Sequence, residues 1–140
     1  MTVKTSELGT LKGYTFVVIF SRYQDKWVYC RAKDRDTFET AGGHIESEES
    51  PLEAAKRELY EETGAISFDI KPVFDYSVQN SAEYSTGQVY LAHIHEFSEL
   101  QDYEMAEVKL FDAMPGEMRF PQILPILYKE MQIWINLHSA

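Results

Sequence analysis

Residues 50–64, SPLEAAKRELYEETG, carry signals for both ends of a helix and stand between strand-like segments, so one short helix must pack against a sheet. Ser50 suits the N-cap, Pro51 the first helical position, and Glu53 completes an S-x-x-E capping box. Gly64 supplies the stop. The spacing predicts a helix over about 51–62. Strand candidates precede it at 14–20 and 26–32, joined by a turn at RYQD, with a short strand in TFET. Gly42 and Gly43 then predict a sharp loop, because glycine permits backbone angles that other residues avoid.

Beyond the helix, 70–79, 87–97 and 108–111 read as strands, with NSAEYST as a polar turn between the first two. QILPILYKEMQIWINL, 122–137, has helical apolar spacing, and Pro125 is tolerated in its first turn. This order predicts an α/β fold with a mixed sheet, a central helix and a C-terminal helix. There is no internal repeat or linker, and 140 residues with 44% apolar content suit one domain over 1–140. The longest apolar run, around YTFVVIF, is too short to span a bilayer, and Cys30 has no partner for an internal disulfide. A cytoplasmic protein without a membrane role is expected, as a monomer or homodimer. The net charge of −10 disfavours long nucleic acid, which needs an excess of Lys and Arg. A small polyanionic substrate fits, provided that cations held by the protein's own acids neutralise it.

The central helix crowds Glu58, Glu61 and Glu62 into an arc of roughly 100°, beside an apolar stripe of Leu52, Ala55 and Leu59. Three carboxylates so placed raise one another's pKa unless a divalent cation sits among them. All-oxygen ligation points to Mg²⁺ or Mn²⁺, and Mg²⁺ keeps positions open for water and phosphates. Taken alone, RELYEE also fits a solvated face with an i, i+4 pair between Glu53 and Arg57. The wider spacing decides between these readings: Gly43, Glu49, Arg57, Glu58, Leu59, Glu61, Glu62 and Gly64 match G-x5-E-x7-R-E-U-x-E-E-x-G, where U is a bulky aliphatic residue.

GHIESEESPLEAAKRELYEETGA, 43–65, resembles the Nudix box, and the chain is similar to Nudix hydrolases of the MutT type. Ala65 departs from a preference for a larger aliphatic residue, and Ala41 stands where many members have proline. The resemblance implies an α/β/α sandwich and Mg²⁺ held by Glu58, Glu61, Glu62 and the main-chain carbonyl of Gly43. Glu107 or Glu104 would complete the metal site. It also implies that Arg57 orients a box glutamate, that Glu49 supports the site from just outside it, and that Glu58 is the first choice of general base. His44 is a candidate phosphate contact. Arg22, Arg31, Lys33 and Arg35 are candidates for steering phosphates, and Tyr76, Tyr84 and Phe120 for stacking on a base. His93 and His95 alternate on one strand without a third ligand, which does not make a zinc site.

The implied reaction is Mg²⁺-dependent hydrolysis of a phosphoanhydride in a nucleoside diphosphate-linked substrate. A nucleoside triphosphate, including an oxidised one such as 8-oxo-dGTP, would give monophosphate and pyrophosphate. The alternatives are an ADP-ribose or nucleotide-sugar pyrophosphatase and a Nudix-fold regulatory module that binds a nucleotide without cleaving it.

Overall fold

Val17 to Phe20 are four consecutive buried apolar residues, which requires cover on both faces of the strand that carries them. The computed structural model, which describes residues 1–99 and 105–138, supplies that cover as two helices around a mixed sheet. The strands are β1 (Thr2–Glu7), β2 (Phe16–Tyr23), β3 (Lys26–Ala32), β4 (Phe38–Glu39), β5 (Ala41–His44), β6 (Ala65–Gln79), β7 (Tyr84–Phe97) and β8 (Met105–Phe111). The helices are α1 (Pro51–Thr63) and α2 (Leu124–His138). Val17 and Ile19 share a core cluster with Ala54, Ala55 and Leu59 of α1. Val18 and Phe20 join Leu124, Leu127, Tyr128 and Met131 of α2. Alternation along one strand therefore produces the α/β/α layering.

The sheet runs β1-β6-β7-β2-β3-β4, with β5 also paired to β2 and β8 to β3. β2 and β7 are parallel, and the other pairs are antiparallel. β2 and β3 pair only at their hairpin end, Ser21–Tyr23 with Lys26–Val28, where Gln24 and Asp25 take φ of 50° and 69° in the tight turn. Past that point the two strands diverge. The 38–44 segment occupies the gap, β4 pairing with β3 and β5 with β2.

The expected sharp loop at Gly42-Gly43 is thus a strand, and neither glycine has a positive φ. What requires glycine there is close approach: a Cβ on Gly42 would lie 2.5 Å from the Val17 carbonyl oxygen. Several other boundaries also move. β1 has only a weak strand signal in the sequence, because its TVKTSE has one large apolar residue, Val3, and it gains its order from pairing with β6. β6 and β7 begin earlier than the apolar runs suggest, and the register shift between Pro72 and Phe74 accommodates a proline that cannot donate to the ladder. β8 starts at Met105, and α2 starts two residues later than its apolar spacing indicates. Leu52, assigned to the buried stripe of α1, is 39% exposed, while Ala54 takes its place. No helix among the described residues is long and apolar enough to cross a membrane.

Candidate functional site

Both ends of α1 are fixed as its sequence indicates. Ser50 Oγ accepts from Glu53 N at 3.1 Å, Glu53 Oε1 accepts from Ser50 N at 2.9 Å, and Gly64 adopts φ 80°. This commits Glu53 to the cap, so it does not form the i, i+4 pair with Arg57 that its spacing allows. Arg57 turns instead toward the loop before the helix. Its Nε donates to Glu49 Oε2 at 2.7 Å and its Nη2 to Glu49 Oε1 at 3.0 Å, the bidentate arrangement suited to a planar guanidinium. Nη1 reaches Glu58 Oε1 at 2.6 Å and Glu61 Oε2 at 3.3 Å, and Nη2 also donates to the His44 carbonyl at 3.2 Å. Hydrogen bonds from Arg57, with one from the Glu46 amide, hold the Glu49 carboxyl below its usual range. One arginine therefore ties the 44–49 loop, β5 and three glutamates into one unit.

On the side facing β5, Glu62 Oε1 accepts from the Gly42 amide at 2.8 Å. Burial, reinforced by a hydrogen bond with Glu58, pushes the Glu62 carboxyl up to about 9. A Cβ on Gly43 would lie 3.0 Å from the Glu58 carboxylate, so the missing side chain is what lets that carboxylate rest against the strand. Glu58, Glu62, Gly42 and Gly43 all line a cleft of about 950 Å³.

Among the described residues, no three His, Cys, Asp or Glu side chains converge as a metal-binding group. Glu61, whose side chain is 46% exposed, shares the Arg57 Nη1 with Glu58. The donor chemistry nevertheless fits a hard cation. Two partly buried carboxylates lie side by side, one of them kept protonated by burial and by its hydrogen bond with the other, beside a backbone that a side chain would block.

The other expected site residues divide between places. His44, Arg35, Tyr76 and Phe120 line the same cleft, together with Lys33. The His44 ring lies 4.5 Å from that of Phe16, and Tyr76 packs so closely on Gly87 that a Cβ there would fall 2.4 Å from its ring. Arg22 does not join them; it lies at the opposite end of β2 and lines a separate pocket. Glu107 is turned to Arg31 Nε at 3.3 Å on the β3–β8 pair and does not line the cleft. Glu104 lies outside the described residues. Tyr84 is exposed and not part of the cleft wall.

Glu39 is a cleft residue that sequence reasoning missed. It is 6% exposed, lines the cleft and pairs with Arg119 at 3.1 Å. Burial raises its carboxyl even against that arginine. Arg119 also lies over the Phe120 ring at 4.4 Å, and Phe120 holds φ 57°. The Arg119 amide on the Phe38 carbonyl (2.7 Å) and the Phe120 carbonyl accepting from Ile123 and Leu124 (3.0 Å each) fix this conformation. Neither member of the Glu39–Arg119 pair has a local signal, because the two are 80 positions apart.

Comparison with known proteins agrees with this geometry. A family profile described as the NUDIX domain matches residues 12–123. Bacillus subtilis (strain 168) YtkD, provisionally named an 8-oxo-dGTP diphosphatase, is 30% identical over 122 residues, 86% of this chain and 77% of that protein. The crystal structure of a point mutant of the Bacillus subtilis pyrophosphohydrolase BsRppH superposes with a TM-score of 0.77 at 26% identity, covering 96% of this chain and 87% of that one. A NUDIX hydrolase from Nitrosomonas europaea shares the fold with a TM-score of 0.70 at 18% identity, over 92% of each chain.

Proposed function

The chain belongs to the NUDIX family, and from that premise we propose that it is a divalent-metal-dependent pyrophosphohydrolase that cleaves a nucleoside triphosphate to monophosphate and pyrophosphate. The observation that carries this reading is the Arg57 hub, which ties Glu49 and Glu61 to Glu58, the member of the group that lines a nucleotide-sized cleft beside Gly42, Gly43 and Glu62. The 8-oxo-dGTP diphosphatase name of the YtkD relative favours an oxidised purine triphosphate as substrate.

Glu58, Glu61 and Glu62 would hold Mg²⁺ together with the Gly43 carbonyl. The ion would screen the phosphates, polarise the phosphoryl group and lower the pKa of bound water. The chain's own residues do the rest. Arg57 fixes the orientation of Glu58, and Glu58 accepts the proton of the attacking water as its oxygen bonds to phosphorus and the anhydride P–O bond breaks. Lys33, Arg35 and Arg119 border the cleft and offset the charge of the leaving pyrophosphate in a protein of net charge −10. Phe120, stiffened by its backbone hydrogen bonds and by Arg119, offers a face for the base at the mouth, with the Tyr76 ring deeper in.

The test is a Mg²⁺ screen of nucleoside triphosphates, oxidised triphosphates, dinucleoside polyphosphates and nucleotide sugars, with identification of products. Release of pyrophosphate from triphosphates is expected. Exclusive turnover of ADP-ribose or nucleotide sugars would refute the substrate assignment, and wild-type turnover in Glu61→Gln would refute the metal assignment.

A further inference from the structure

A second pocket, of about 700 Å³, opens on the α2 side of the sheet at the far end of β2 from the glycine strand. It gathers cations in a chain whose net charge is −10. Arg22, His93 and Asp69 occupy one row across β2, β7 and β6, since Arg22 pairs with His93 in register and His93 with Asp69. Lys71 is opposite Leu91 in the next row on the same face. His138, in the last turn of α2, borders the pocket from above.

The charges in this pocket are not paired off against one another. Asp69 is engaged by His95 at 2.8 Å. Arg22 and Lys71 are instead placed over aromatic rings: Arg22 lies 4.5 Å from the Trp27 centroid and Lys71 lies 4.8 Å from that of Trp134. Arg22 spends one donor on the Asp25 carbonyl, at 2.8 Å, which orients its fork. His138 Nδ1 sits 2.8 Å from the Trp134 carbonyl, which only accepts, so that nitrogen carries a proton. The His93 ring is held below its usual range, first by burial and then by Arg22. Aromatic faces keep these ammonium and guanidinium groups in position without neutralising them, which is how a site for a mobile anion is built.

We propose that this pocket binds a phosphate oxyanion, with Arg22, Lys71 and His93 as its donors. The Trp134 ring is already engaged by Lys71 and stacked on His138 at 4.1 Å. It has little face left for a base, so recognition rests on the charged group and not on a nucleoside. The site is separate from the catalytic cleft and does not depend on the reaction proposed there.

The chain's two tryptophans both touch this pocket's cations, so intrinsic fluorescence reports on it directly. The experiment titrates the full chain with sodium pyrophosphate in EDTA at constant ionic strength, with inorganic phosphate and a nucleoside monophosphate as parallel probes. A saturable change is expected, weakened at least about tenfold in Lys71→Gln by loss of a charge-assisted contact. It should be unchanged in Arg119→Gln, whose lesion lies in the cleft. Lys71 is exposed, and its variant should keep wild-type nucleotide hydrolysis. Arg22→Gln should weaken binding likewise. A change matched by sodium chloride, one that persists in both Lys71→Gln and Arg22→Gln, or one abolished by Arg119→Gln would overturn the assignment. A nucleoside monophosphate binding more than about tenfold tighter than pyrophosphate would also overturn it, because stacking would then dominate.

Discussion

Arg57 offers the sharpest test of how the site is built, and the informative change is Arg57→Lys, which keeps the charge but removes the fork. Its pair with Glu49 is intermediate in burial: the arginine side chain is 23% exposed and the carboxylate 14%. Exposed pairs contribute about 0–1 kcal/mol, and breaking a fully buried one costs about 3–5 kcal/mol. Two charge-assisted bonds at 2.7 and 3.0 Å in this intermediate setting should couple the residues by about 2 kcal/mol. The assay is a double-mutant cycle of Arg57→Lys and Glu49→Gln, read by urea denaturation without metal. Arg57→Lys should lower the thermal midpoint by about 7 °C for a chain of this length. It should also reduce kcat, because Glu58 loses the contact that orients it. A coupling energy within about 0.3 kcal/mol of zero, the usual additivity error, would refute the claim that Arg57 organises the site through Glu49.

The two glycines of β5 should separate stability from activity. In Gly42→Ala the new Cβ meets backbone 2.5 Å away, and unfolding should become easier by at least about 2 kcal/mol in chemical denaturation. In Gly43→Ala it meets only the end of the Glu58 side chain at 3.0 Å, so the protein should fold and lose turnover. With its carboxyl near 9, Glu62 holds a proton in the folded, metal-free protein that the unfolded chain has released above 4.5. Metal-free stability should therefore fall as pH rises from 4.5 toward 9. Mg²⁺ binding near neutrality should release about one proton, measurable by calorimetry in buffers of different ionisation enthalpy. Tyr14→Phe removes the 2.7 Å donor to the fully buried Asp75, which among the described residues then keeps only the Leu11 amide at 2.9 Å. It should cost about 2 kcal/mol on denaturation while leaving the affinity for Mg²⁺ unchanged.

Local chemistry made α1 and its acids legible. Ser50, Pro51, Glu53 and Gly64 act within a few residues of where they stand, and a helical repeat places Glu58 and Glu62 on one side whatever surrounds them. The Nudix pattern, the two helices and most strands are readable for the same reason. Three features depended on contacts formed in the folded chain instead. Gly42 and Gly43 look like a turn because glycine permits one, but the divergence of β2 from β3 makes them a strand pressed on Val17 and Glu58. The tether from Arg57 goes to Glu49, not Glu53, because the capping box had already taken Glu53. The pairing of Glu39 with Arg119 exists only where β4 meets the segment before α2.

The sequence by itself determined that a capped acidic helix would sit within a strand-rich domain and present carboxylates at the spacing of a phosphoanhydride hydrolase. Tertiary structure alone decided which of those carboxylates are buried, which are held by Arg57, and that Arg22 belongs to a pocket at the other end of the sheet. The physical reason is that helix periodicity and capping are set by neighbours along the chain. Desolvation and charge pairing are set by neighbours in space, and those are fixed only when the strands have chosen their partners.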